Sequence, residues 1–301
     1  MKKQTKAYLY GFAAVSFWST IASAGKLSLR YLTPVELLFF SSLVSCVVLF
    51  TILIFQKKLP ELKKTSLKEL GVSLLFGLLN PFLYYLVLFK AYDLLPAQQA
   101  QAINYTWAIT LSLLSIPILG HKVRGIQWVC IGFSYFGVLV IATGGNVISL
   151  QFENPSGVGL ALLSTVIWSL YWIYNTRDTR DPLVGLFLNF ATVMPLIVLY
   201  TLWIGKGPLL RITPGLAGAA YIGVFEMGIT FVLWLYALKK TESSAKVANL
   251  IFISPFLSLF FIHFLVGEKI LGSTLVGLAF VICGLSLQAF AESKKKHRAG
   301  R

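Results

Sequence analysis

The sequence predicts an all-α integral membrane protein, with ten transmembrane helices arranged as two inverted five-helix repeats around a central cavity. Three observations carry this reading. Of 301 residues, 57% are hydrophobic and only 12% are charged, whereas a soluble domain carries about 25% charged residues. The apolar residues fall in runs of roughly twenty, the length that crosses a bilayer core at about 1.5 Å per residue. The second half of the chain also repeats the first.

The first run, 8–29, follows Lys2, Lys3 and Lys6 and contains Ala22-Ser23-Ala24, so it imitates a cleavable signal peptide. The repeat needs this helix, so it is read as retained. Runs at 35–55, 68–91, 96–118 and 124–143 complete the first five, and 155–175, 182–204, 213–237, 243–265 and 271–291 form the second five. Thr33-Pro34, Leu59-Pro60 and Asp181-Pro182 mark breaks between them. These runs are twice as long as the roughly ten-residue alternating strands of a membrane barrel. No connection is long enough for a soluble domain.

Charge sets the expected orientation. With the N-terminus inside, inner segments hold twenty of the 26 lysines and arginines, among them Lys57, Lys58, Lys63, Lys64, Arg177 and Arg180. The outer segments hold Lys26, Arg30, Lys90, Lys206, Arg211 and Lys269. This bias predicts a multi-pass protein of the cell inner membrane with both termini cytoplasmic. The formal charge of +15 is thus spread between spans rather than gathered on one face, which points to a lipid bilayer and away from nucleic acid.

A displacement of 147 residues brings Gly120 onto Gly267, Gly125 onto Gly272, Phe133 onto Phe280 and Gly137 onto Gly284. Nearer the start of each half, Trp18-Ser19 matches Trp168-Ser169 and Pro34 matches Pro182. The expected units are 8–143 and 157–291, followed by a basic cytoplasmic tail at 292–301. Five helices are an odd number, so the second unit enters the membrane from the opposite side, and such inverted pairs place a substrate site near the midplane.

Polar groups are costly in hydrocarbon, so they narrow the search for that site. Glu226 is the one acid well inside a span, and its repeat counterpart falls at Leu79-Asn80, followed by Pro81. A midplane carboxylate can bind an amine, pair with a cation or carry a proton, so proton coupling is an expectation. Tyr84 follows Asn80 at i+4, and Thr230 follows Glu226 at i+4. Trp168 and Trp172 share a face of helix 6, Asn104 and Tyr105 lie on helix 4, and Asn249 lies on helix 9. The expected substrate-binding set is therefore Asn80, Tyr84, Asn104, Tyr105, Trp168, Trp172, Glu226, Thr230 and Asn249, an aromatic cavity with few polar contacts. Asn80 and Glu226 are expected to face each other across it. Gly132, Gly137, Gly277 and Gly284 read as close-packing positions.

Enzyme signatures are missing: there is no HExxH and no P-loop lysine, and neither catalysis nor a cofactor is expected. Cys46, Cys130 and Cys283 lie in apolar runs without metal spacing.

Two tandem five-helix units, with Trp-Ser in the opening helix and Gly267-Glu268-Lys269 closing the ninth, resemble the EamA repeats of the drug/metabolite transporter superfamily. Phe17-Trp18-Ser19-Thr20 and Asn104-Tyr105-Thr106-Trp107 look like the bacterial aromatic amino-acid exporter branch. The resemblance implies a ten-helix basket that exports amino acids or related small metabolites. The chain departs from the family at Phe39-Phe40-Ser41-Ser42, where many members carry an arginine, and at Gly120-His121, where Gly-Glu is common. Three functions follow for testing: a secondary exporter of small amphiphilic metabolites, broad efflux of drugs and cations, or an intramembrane enzyme or assembly factor.

Overall fold

A computed structural model describes residues 3–120, 125–152, 154–204, 212–241, 247 and 249–299, without the side chains of Lys239, Asn249 and residues 289–299. The loop His121–Arg124, Lys206, Arg211, Lys246, and the side chains and last two residues of the basic tail therefore lie outside the described residues.

Every described regular element is helical. Local chemistry sets several of the starts. Thr33 and Glu36 form a capping box at the head of α3 (Pro34–Phe55), with Pro34 in the first turn. Ser66 and Glu69 do the same for α5 (Leu67–Gly77), after the short α4 (Leu59–Lys63). Asn154 caps α10 (Pro155–Asn175), and Asp181 caps α11 (Pro182–Trp203).

Five of the expected spans, the first, third, fourth, eighth and ninth, are interrupted. The first is α1 (Lys3–Trp18) and α2 (Ile21–Ser28), parted at Ser19-Thr20. The fourth is α7 (Ala97–Asn104) and α8 (Trp107–Leu119), parted at Tyr105-Thr106. The ninth runs from a 3-10 turn (Asn249–Ile253) through α14 (Ser254–Phe261) into a π-turn (Ile262–Val266). The fifth and tenth are α9 (Gly125–Ala142) and α15 (Gly272–Ala299). Among the described residues, seven helices are long and apolar enough to cross a membrane, and Leu250–Val266 and Gly272–Gln288 are shorter apolar helices.

The third and eighth helices share one irregularity. Leu67–Leu94 is α5, a π-segment (Leu78–Leu83) and α6 (Tyr84–Leu94). Pro214–Lys240 is α12 (Pro214–Tyr221), a π-segment (Ile222–Ile229) and α13 (Thr230–Lys240). Such bulges gather at functional sites. At Asn80 the backbone leaves helical geometry (φ −145°, ψ 115°), just before Pro81, which has no amide donor.

The two halves exchange packing partners. The first helix lies on α13 while α10 lies on α6, and α3 meets the second π-segment while α11 meets α5. The contacts recur in pairs. A side chain on Gly77 would strike the Asn189 carbonyl, and one on Gly223 would strike that of Ser41. Helices α9 and α15 meet through Gly137 and Gly277, each backed on the other's carbonyl, and through Gly284 on the Cys130 carbonyl. Later residues of α9 thus touch earlier residues of α15, so the two helices run antiparallel. The small residues permit this approach.

One apolar core spans both halves. Outside it, Leu196, Leu199, Leu202 and Trp203 on α11, and Phe256, Phe260 and Phe264 near α14, stay exposed. Apolar faces of this extent need lipid rather than water around them.

Candidate substrate cavity

The second π-segment, the start of α6 and the breaks at Ser19-Thr20 and Tyr105-Thr106 border a cavity of about 200 Å³. Its walls are largely aromatic. Tyr84 stacks on Trp168 with ring centroids 4.4 Å apart, and Trp107 and Trp172 meet Trp168 edge-on at 6.5 and 5.9 Å. Trp18 and Trp234 extend the wall, 5.3 Å apart, with Phe231 between Trp18 and Trp168.

Polar groups enter this wall at few points, and most are held by neighbours. Tyr84 donates to the Asn104 carbonyl at 3.4 Å, and Asn104 in turn donates to Ser164 at 2.9 Å. The Tyr105 and Ser254 hydroxyls pair at 2.8 Å, and Ser19 joins Ser254 at 3.0 Å. Tyr92 donates to Gln101. Glu226 is different. It is 8% exposed, and Tyr85 donates to its Oε1 at 3.2 Å, but Oε2 has no hydrogen-bond partner. No ion pair among the described residues includes it. A buried carboxylate oxygen is an expensive group to leave unpartnered. It is therefore the strongest unpartnered acceptor among the lining residues, and Trp172 Nε1, elsewhere in the lining, is an unpartnered donor.

Six residues named from the sequence line this cavity together: Tyr84, Asn104, Tyr105, Trp168, Trp172 and Glu226. Three do not. Thr230 is fully buried behind the wall with an unpartnered hydroxyl. Asn249 opens the 3-10 turn, but its side chain lies outside the described residues. Asn80 corrects the expectation that it shares the cavity with Glu226. It is fully buried near the Tyr171 hydroxyl, with no hydrogen bond to either amide atom, because the extended turn at Asn80 places it outside the wall.

Sequence reasoning missed Trp18, Tyr92, Trp107 and Ser254 as wall residues, whereas Gln101 and Trp234 line the wall on the helix faces read from the spacing of Asn104 and Glu226. Trp18 carried a signal as the repeat partner of Trp168, and Trp234 as the i+8 neighbour of Glu226. Tyr92 and Ser254 carried none. Among the described residues, no group of three or more His, Cys, Asp or Glu side chains is placed to hold a metal.

The chain matches the EamA-like transporter family twice, over residues 5–143 and 155–290. It belongs to that family. It holds two EamA units and is a multi-pass membrane protein of a transporter family. Among similar proteins is an uncharacterized transporter of Clostridium kluyveri, 26% identical, with 96% of this chain and 94% of that one covered. The uncharacterized transporter YoaV of Bacillus subtilis is 24% identical, with coverage of 93% and 95%. The uncharacterized inner membrane transporter YedA of Escherichia coli is 24% identical over 56% of this chain and 52% of its own. One crystal structure superposes with a TM-score of 0.64 at 20% identity, covering 96% of this chain and 98% of the other, a likeness of fold.

Proposed function

We propose that the protein is a secondary transporter that exports small amphiphilic metabolites, foremost amino acids with aromatic or apolar side chains, by alternating access. One observation carries the substrate reading: a single buried carboxylate, with one oxygen unpaired, faces a cavity walled by tryptophan and tyrosine. An amino group fits the carboxylate, and an apolar side chain fits the rings.

Ten spans in two inverted units form the architecture of this proposal. The antiparallel meeting of α9 with α15 and the paired contacts of Gly77 and Gly223 support it. In this reading the basic segments and both termini face the cytoplasm, and Glu226 is the group through which a proton couples to export.

A second reading, efflux of organic cations, is favoured by the same carboxylate, since tryptophan faces also attract cations. Purified protein in liposomes separates the two. Loaded vesicles would be assayed against an amino-acid panel and a panel of cationic dyes, with and without a pH gradient. Movement of amino acids supports the first reading, and movement of dyes alone supports the second. Neither panel exceeding protein-free vesicles would sink both. Glu226→Gln is expected to remain folded while transport falls or loses its response to the gradient.

A further inference from the structure

The connection between α10 and α11 carries charges that the cavity does not use. Arg180 forks onto Asp178, Nε to Oδ1 at 2.9 Å and Nη2 to Oδ2 at 2.6 Å. Its remaining nitrogen, Nη1, crosses to α5 and donates to the Ser73 hydroxyl at 2.6 Å and the Glu69 carbonyl at 3.2 Å. One residue on, Asp181 accepts from Lys58 while it caps α11. The connection is thus strapped to α5 on one side and to the turn between α3 and α4 on the other. Arg180 and Asp178 side chains are only 11% and 13% exposed, so solvent screens this pair less than a surface one.

A pocket of about 310 Å³ lies against the strap, lined by Glu69, Phe76, Tyr174, Asp178 and Arg180 among others. Ser73 and Phe76 share one side of α5 at i and i+3, and the π-segment that follows turns Asn80 into the interior beside Tyr171. Two ring contacts then span the distance to the central cavity. Phe76 meets Tyr171 edge-on at 6.4 Å, and Tyr171 stacks at 5.6 Å on Trp168, which lines the cavity. Beside these rings, the Asn80 and Asn189 side chains gather at the Tyr171 hydroxyl, yet neither amide atom of Asn80 nor Asn189 Oδ1, all buried, has a partner within 3.5 Å. Polar atoms of this kind are rare in settled interiors, and they suit a passage that becomes wet in another state.

We propose that this lane joins the central cavity to one face of the membrane, and that Arg180 is its latch, closed here by its bonds to α5. The inference rests on the transport reading for its purpose, and it can be tested without a substrate.

The test places a thiol in the lane by Asn80→Cys, after Cys46, Cys130 and Cys283 are replaced by alanine. Labelling by the hydrophilic reagent methanethiosulfonate-ethylammonium is timed in purified, monodisperse protein. Tyr174→Cys, in the 310 Å³ pocket, is the accessible control and should label fast in every background. Ala219→Cys, a fully buried position on α12, reports general loosening. With the strap intact, the Asn80→Cys thiol should label slowly. Adding Arg180→Gln should speed it by about tenfold or more, as loss of charge-assisted bonds implies, and Ser73→Ala should give a smaller increase. The thiol from Ala219→Cys should not respond. The latch is refuted if labelling in the lane ignores Arg180, or if both buried thiols accelerate alike. A latch that responds in protein that moves no compound of either panel leaves the latch standing and removes the substrate reading. Transport with an unresponsive lane does the reverse.

Discussion

The two broken helices, Leu67–Leu94 and Pro214–Lys240, occupy matching places in the two EamA units and are cut into matching pieces, yet they differ at both the start and the middle. At its start the first is held by side chains: Arg180 reaches Ser73 and Glu69 from the strap. The second is held by backbone packing, where Gly215 and Gly218 sit on Ser28 and Leu32 with no room for a Cβ. In the middle, the first presents Asn80, buried outside the cavity, and the second presents Glu226 in its wall. A duplicated helix has thus kept its break and divided two tasks, one unit holding the carboxylate and the other a releasable end. Glycine-packed backbone has no bonds that a ligand or a charge change could exchange, whereas a hydrogen-bonded clasp does.

The largest expected effect separates the two middles. If position within the fold matters, moving the carboxylate to the other helix will not rescue it. Glu226→Asn combined with Asn80→Glu should transport as poorly as Glu226→Asn alone, about tenfold or more below wild type, in keeping with loss of a charge-assisted contact. Recovery of liposome transport in the double variant would make the two sites equivalent and end the comparison.

The two starts should separate next, by stability. Gly215→Val drives a side chain into the Ser28 carbonyl and Leu32, and overpacking of this kind costs about 1–3 kcal/mol. Ser73→Ala removes one hydrogen-bond partner and adds no clash. The melting temperature in detergent should fall by several degrees for the glycine variant and by less for the serine variant. Equal losses would show that both starts are merely packed.

How much of this contrast the sequence displays depends on where its causes lie. Helix starts are legible because proline and the capping side chains act within one turn, as at Thr33-Pro34 and Asp181-Pro182. Gly120 and Gly267, which align at a displacement of 147 residues, both end helices with positive φ (68° and 81°), so that correspondence also has a local cause. The breaks at Ser19-Thr20 and Tyr105-Thr106 lie within apolar runs and have no proline, so nothing local announces them. Glu226 stands out because an acid in hydrocarbon is rare. Tyr92 and Ser254 join it only through convergence of distant helices, and Asn80 is displaced by a backbone turn that the helical period does not foresee.

A smaller effect should mark the hydroxyl that steadies Glu226. Tyr85→Phe removes its one hydrogen-bond donor, a loss of about 1 kcal/mol, or roughly fivefold in transport. An unchanged rate would mean that Oε1 is satisfied by something other than Tyr85.

The smallest effect concerns acid. Burial works against charge on Asp178, but the hydrogen bonds from Arg180 outweigh it and hold the carboxyl below the usual aspartate range. Burial likewise opposes charge on Asp181, and Lys58 with the Val184 amide outweighs it. Because both values are lowered on folding, the stability they contribute is present above the ordinary aspartate pKa of about 3.9, and it fades as pH falls through the lower folded values. The melting temperature attributable to the strap should therefore be level from about pH 8 to 5 and decline below about pH 4. Other acids titrate in the same range, so the diagnostic quantity is the difference between wild type and the Asp178→Asn, Asp181→Asn double variant. That difference should be constant at neutral pH and shrink on acidification, because wild type loses in acid what the variant never had. Gly215 and Gly218 offer no titrating group at the matching end, so Gly215→Val should shift the whole curve downward without changing its acid limb. A difference between wild type and the double variant that stays constant down to pH 3 would mean that the charges of the strap do not hold it closed, and the two ends would then be alike in being held by packing.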